Sequence, residues 1–199
     1  MYFAFQIYCD FSGYSDIAIG TAKLLGIDLI SNFKFPYFSR NIAEFWKRWH
    51  ISLSSWFRDY LYIPLGGSKR GKVISIRNIF IIFIVSGFWH GANWTFLMWG
   101  FMHGVLYLPL HFSSNKKKYS NIVAFNRKIP RPNDIFLIIS TFLTTTLAWT
   151  FFRSSNISDS FLYLYIIIKD LGIMILSIWI VYYMILKIYN ISKQMIIDG

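Results

Sequence analysis

Ile74-Ser-Ile-Arg-Asn-Ile-Phe-Ile-Ile-Phe-Ile-Val-Ser-Gly-Phe-Trp89, the turn His90-Gly-Ala-Asn93, and Trp94-Thr-Phe-Leu-Met-Trp-Gly-Phe-Met-His-Gly-Val-Leu-Tyr-Leu-Pro-Leu-His-Phe112 follow one another in the chain. The hydrocarbon core of a bilayer, about 30 Å thick, takes roughly 20 apolar residues as helix. Each of the two runs approaches that length, so the stretch reads as a helical hairpin across a membrane. Outward from it, Ile135–Phe152 and Leu171–Tyr189 read as two more spans. Tyr2–Ile30 reads as a fifth, more polar one that carries Gln6, Asp10, Ser12, Asp16 and Lys23. Its small residues Gly13, Ala18, Gly20 and Ala22 suit close helix–helix packing. The expected fold is all-α, a polytopic membrane helical bundle forming one domain over residues 1–199.

Composition supports this. The chain is 55% hydrophobic and 21% aromatic, with 15% charged residues, where a soluble domain carries about 25%. The net charge of +11 is not the footprint of a nucleic-acid surface, because the cations cluster in two inter-span loops. Ser31–Val73 holds Lys34, Arg40, Lys47, Arg48, Arg58, Lys69, Arg70 and Lys72; Ser113–Asp134 holds Lys116, Lys117, Lys118, Arg127, Lys128 and Arg131. The bias of Lys and Arg places both loops on the cytoplasmic side of the cell membrane, against anionic lipid head groups. The hairpin turn with His90 then lies on the far side, and Arg153 is the one exception to the charge rule. Met1–Phe5 lacks the basic region of a signal peptide. The lone Cys9 excludes an internal disulfide, and no His, Asp, Glu or Cys grouping has metal-ligand spacing.

Within the first basic loop, Trp46, Trp49, Leu53, Trp56 and Tyr60 recur at spacings of three and four, the period of one helical face. A basic amphipathic helix over Ala43–Tyr62 is expected, packed on the bundle or lying in the interface. His50 falls within its aromatic face. A histidine there is more often a satisfied core residue than a catalyst, and the pattern alone does not choose. Gly66, Gly71 and Lys72 nearly complete a phosphate-binding loop motif, but Val73 stands where a hydroxyl is needed and no βαβ context surrounds it.

His90 ends an apolar span, where an ionisable group is a functional signal by default because its burial is costly. Gly87 and Gly91 allow close backbone approach beside it, and Asn93 is expected to orient its ring. An imidazole, with an unperturbed pKa near 6.5, suits removal of a hydroxyl proton; a helix–helix hydrogen bond is the plainer alternative. His103, deeper in the second run, reads as a packing or hydrogen-bonding residue. Asp10 and Tyr14, four apart with Gln6 on the same face, either line a polar cavity or bond between helices.

Taken together, Tyr8-Cys-Asp-Phe-Ser-Gly-Tyr-Ser-Asp-Ile-Ala-Ile-Gly20, Asn32-Phe-Lys-Phe-Pro-Tyr37, Glu44-Phe-Trp-Lys-Arg-Trp-His-Ile-Ser-Leu-Ser54, Trp56-Phe-Arg-Asp-Tyr-Leu-Tyr-Ile-Pro-Leu-Gly-Gly67 and Gly87-Phe-Trp-His-Gly-Ala-Asn-Trp94 resemble the membrane-bound O-acyltransferases. The resemblance is to the bacterial alginate and peptidoglycan O-acetyltransferases, with the teichoic acid D-alanyl transferase as kin. It is dense over about Phe5–Leu108 and resumes at Trp149-Thr-Phe-Phe-Arg153. It implies His90 as principal catalytic histidine and His50 as the second. Trp46, Trp49, Arg58, Asp59, Trp89, Asn93, Asp10 and Tyr14 are the substrate-binding candidates. It further implies an acyl-CoA or acyl-carrier thioester donor with no bound cofactor, and a hydroxyl of a cell-envelope or exported polysaccharide as acceptor. Membrane lipids and an extracytoplasmic acetyltransferase are the implied partners. Members of the family are longer and carry further spans ahead of the Tyr2 position, so the chain reads as a C-terminal part.

The expected chemistry is direct acyl transfer, because no activated nucleophile is evident. Two rivals come from other classes: a proton or solute transporter, which calls for paired repeats with broken helices that the sequence lacks, and a truncated scaffold without catalysis.

Overall fold

The computed structural model describes residues 1–112, 123, 129–173, 179, 181 and 182. Its chain divides into two compact units, Met1–Ile157 and Ser158–Gly199. In the first, the helices are α1 (Tyr2–Leu24), α2 (Ile42–Trp46), α3 (Ile51–Phe57), α4 (Lys72–His90), α5 (Trp94–Phe112) and α6 (Pro132–Arg153). In the second, the described residues 158–173 are helical. The span expected over Leu171–Tyr189 and the basic loop Ser113–Asp134 lie largely outside the described residues.

α4 and α6 are long and apolar enough to cross a membrane. α4 and α5 pair along their length as the hairpin, and glycine is what lets them. A Cβ on Gly87 would lie 2.3 Å from the Phe96 carbonyl oxygen, and one on Gly100 would lie 2.1 Å from that of Phe83. The two backbones therefore touch, the mode of association that membrane helices use where apolar burial gives no drive. α6 starts at Pro132 in its first turn, with Asp134 complementing the helix dipole.

α1 differs from expectation. Gly13 and Gly20 meet nothing within 4 Å, Cys9 is exposed, and only Ala4 and Ser15 are buried. Its contacts within the chain come mostly from its first half. Tyr37 donates its hydroxyl to the Ala4 carbonyl at 2.5 Å, and the Phe5 ring lies 5.8 Å from Phe142.

The continuous helix expected over Ala43–Tyr62 is corrected. α2 stops at Trp46, His50 takes a left-handed conformation (φ 46°, ψ 57°), α3 restarts at Ile51, and a single π turn covers Arg58–Tyr62. Two short helices keep the local period, but the break between them turns their aromatic faces apart. Trp49 is buried, whereas Trp56 and Tyr60 stack on each other in the open, 53% and 69% exposed.

Nor is Ser31–Val73 one surface loop. His50 sits 6.3 Å from Trp89 at the end of α4, and Tyr62 bonds Ser75 near its start. The connector therefore runs along about 20 Å of the helix, at 1.5 Å per residue. Irregular backbone at that depth is tolerated where protein buries it. Glu44 does much of this. Its carboxylate accepts from the Arg40 backbone N–H (2.7 Å), the Arg40 guanidinium (2.9 Å) and Arg48, while Asn41 caps the Glu44 N–H (2.8 Å). Further along, buried Asn78 of α4 donates to the carbonyls of Leu65 and Gly67, pinning the glycine turn.

Candidate active site

The break at residue 50 builds the site. A non-glycine residue with φ near +50° is sterically disfavoured, at a cost of about 1–3 kcal/mol, and persists only where its surroundings over-determine it. Two backbone bonds straddle the position: Lys34 N–H to the Arg48 carbonyl and Ile51 N–H to the Asn32 carbonyl, both 3.0 Å. The imidazole of His50 is thereby held edge-on to Phe11 of α1, with ring centroids 4.6 Å apart, and beside Trp89 at 6.3 Å. Burial, and secondarily the charge His90 would carry, hold its pKa at about 4. It is a neutral hydrogen-bonding group near pH 7.

His90 closes α4. Its ring meets Trp89 at 4.9 Å, Phe152 of α6 at 5.0 Å and Trp99 of α5 at 5.3 Å. Both imidazoles are half-buried and share Trp89 as a neighbour. Phe11, against His50, and Phe152, against His90, also line one open groove of about 440 Å³ together with Asp10, Tyr14 and Gln6. The two imidazoles and Trp89 thus stand behind Phe11 and Phe152, next to the groove and not among the residues that line it.

The remaining candidates fall elsewhere. Trp46 packs on Phe83, Trp99 and His103. Trp49 lies among Phe33, Tyr37, Phe45 and Trp149. Both are walls behind the histidines rather than lining of the groove. Arg58 and Asp59 are exposed and pair with each other at 2.7 Å. Asn93 is corrected as the partner of His90. Its Oδ1 accepts from the Thr95 N–H at 3.1 Å, capping α5, and its Nδ2 donates to the Ser155 carbonyl at 3.2 Å. The turn geometry draws the amide to these backbone groups.

Sequence reading missed Phe11, Trp99, Trp149 and Phe152. Trp149 and Phe152 are three apart on α6, a spacing that marks one helical face; nothing in the sequence tells which partner that face meets. His103 is fully buried, stacked with Phe83 and edge-on to Trp46 and Trp99, consistent with packing. Among the described residues, no group of three or more His, Cys, Asp or Glu is placed to hold a metal ion.

The family model for MBOAT, the membrane-bound O-acyltransferase family, matches residues 1–154. A probable alginate O-acetylase of Pseudomonas syringae pv. tomato is 46% identical over 154 residues, 76% of this chain and 27% of that protein. The peptidoglycan O-acetyltransferase of Helicobacter pylori is 43% identical over 159 residues, 79% of this chain and 28% of its own length. The teichoic acid D-alanyltransferase of Bacillus subtilis is 34% identical over 125 residues, 59% of this chain and 32% of that protein. The chain spans between a quarter and a third of the length of these curated relatives.

Proposed function

The chain belongs to the membrane-bound O-acyltransferase family, and from that premise we propose that His90 and His50 form the reaction centre of an enzyme moving an acyl group from a thioester to a hydroxyl. The observation that carries the reading is the convergence on Trp89 of two half-buried imidazoles beside one groove.

His90 accepts the proton of the acceptor hydroxyl as its oxygen attacks the thioester carbonyl. The oxygen–carbon bond forms, the carbon–sulfur bond breaks, and the proton held on His90 passes to the leaving thiolate. His50, neutral near pH 7, donates a hydrogen bond to the developing oxyanion. Asp10 and Tyr14, lining the groove, hold the acceptor hydroxyl. The acceptor is a glycan of the cell envelope or an exported polysaccharide, by analogy with the alginate and peptidoglycan acetylases among the relatives. The donor is acyl-CoA or an acyl-carrier thioester, and the acyl group is acetyl or a close analogue.

His90→Ala in the full-length membrane form is expected to lower acyl transfer by about 100-fold or more, the low end of what a general base contributes. Membranes incubated with a labelled acyl donor measure it, and wild-type turnover in the variant would overturn the assignment.

A further inference from the structure

The geometry points to Asn32 as the positioning residue for the His50 imidazole, an inference that rests on the proposed His50–His90 centre. An N-cap residue usually has extended backbone, and its own side chain accepts an N–H from the first turn of the helix. His50 is the N-cap of α3, yet it is left-handed and makes no such bond. Asn32 supplies the cap from another segment. Its carbonyl accepts the Ile51 N–H at 3.0 Å. Its Oδ1 accepts both the Ser52 N–H (3.2 Å) and the Ser52 hydroxyl (2.6 Å).

The Ser52 N–H, a donor that the N-cap side chain would ordinarily satisfy, is thus satisfied by Asn32, and the imidazole is released toward Phe11 and Trp89. The left-handed backbone is the geometric counterpart of this arrangement. Without the Asn32 amide, the Ser52 N–H loses its acceptor, and relaxation of residue 50 toward an ordinary capping conformation draws the ring away from Phe11 and Trp89.

Four variants in the full-length membrane form decide this: Asn32→Ala, Asn32→Asp, His50→Ala and the double variant Asn32→Ala/His50→Ala. Misplacement of a reacting group by about 1 Å can cost on the order of 100-fold. Asn32→Ala is therefore expected to lower kcat by that order with the KM for the thioester unchanged. Asn32→Asp keeps the acceptor atom and retains most of the turnover. In the His50→Ala background, Asn32→Ala adds nothing, the signature of two residues acting through one group. An equal further loss in that background overturns the inference, as does wild-type turnover of Asn32→Ala beside an impaired His50→Ala.

A second readout needs no turnover: the rate at which diethylpyrocarbonate modifies His50 in folded, detergent-purified protein. It is expected to rise in Asn32→Ala and to stay at the wild-type level in Asn32→Asp; equal rates in all three overturn the positioning role. Wild-type turnover in His50→Ala removes His50 from the proposed centre instead, and the modification rates still decide whether Asn32 positions the ring.

Discussion

At the scale of single residues, burial is what keeps the His50 ring neutral. A folded-state pKa of about 4 against about 6.5 unfolded means that the unfolded chain binds the proton more readily between those values. Stability linked to this group is complete above about 6.5 and declines as pH falls toward about 4. An NMR titration of the His50 ring should show its midpoint near the lower value, and a midpoint near 6.5 would contradict a buried ring. Glu44 is the other decisive residue. Its side chain is 2% exposed and balances Arg40 and Arg48. Removing one member of a buried ionic cluster costs about 3–5 kcal/mol. Glu44→Ala should therefore lower the melting temperature in detergent sharply, with the loss reaching His50 through the Arg48 carbonyl that receives the Lys34 N–H.

At the scale of elements, the hairpin and the connector use opposite devices. α4 and α5 meet through glycine, so Gly87→Ala forces a Cβ into the Phe96 carbonyl. Overpacking of this kind typically costs about 1–3 kcal/mol. Gly13→Ala in α1 meets open space, and Ala is favoured over Gly in a helix interior by about 1 kcal/mol. The two substitutions should shift thermal unfolding of the detergent-purified chain in opposite directions, and equal destabilisation would mean that the hairpin contact is looser than described. The connector instead trades helix for position. Its aromatic period was legible in Trp46, Trp49, Leu53, Trp56 and Tyr60, but the break was not. It depends on Asn32 and Lys34 bonding across to residues 48–52, partners too distant in sequence for a periodicity to reveal.

At the scale of the whole molecule, the glycine turn Gly66–Gly71 with Lys69, Arg70 and Lys72 leads into α4 at one end, and His90 lies at the other. From the Lys and Arg bias, the first end is expected on the cytoplasmic side. In a Cys9→Ser background, Ser68→Cys should react with a membrane-impermeant maleimide only after the cells are opened. Ala92→Cys, in the hairpin turn, should react in intact cells. Labelling of both from the same side would mean that α4 does not cross. With this orientation Arg153 falls at the His90 end, where its guanidinium lies over the Phe3 ring at 5.8 Å.

Sequence alone determined the membrane-protein family and the hairpin whose first helix ends at His90, and it singled out both histidines as candidates. Apolar length, low charge and dense local motifs are properties of contiguous residues, and they need no partner to be read. Tertiary structure alone decided that His50 stands left-handed beside Trp89, that Asn93 caps α5 instead of orienting His90, and that Trp46 and Trp49 back the site. Those outcomes depend on which segment meets which at sequence separations of 20 and 62, as Asn32 does Ser52 and Asn93 does Ser155. Contacts of that range are set by three-dimensional packing, to which one-dimensional patterns of polarity are blind.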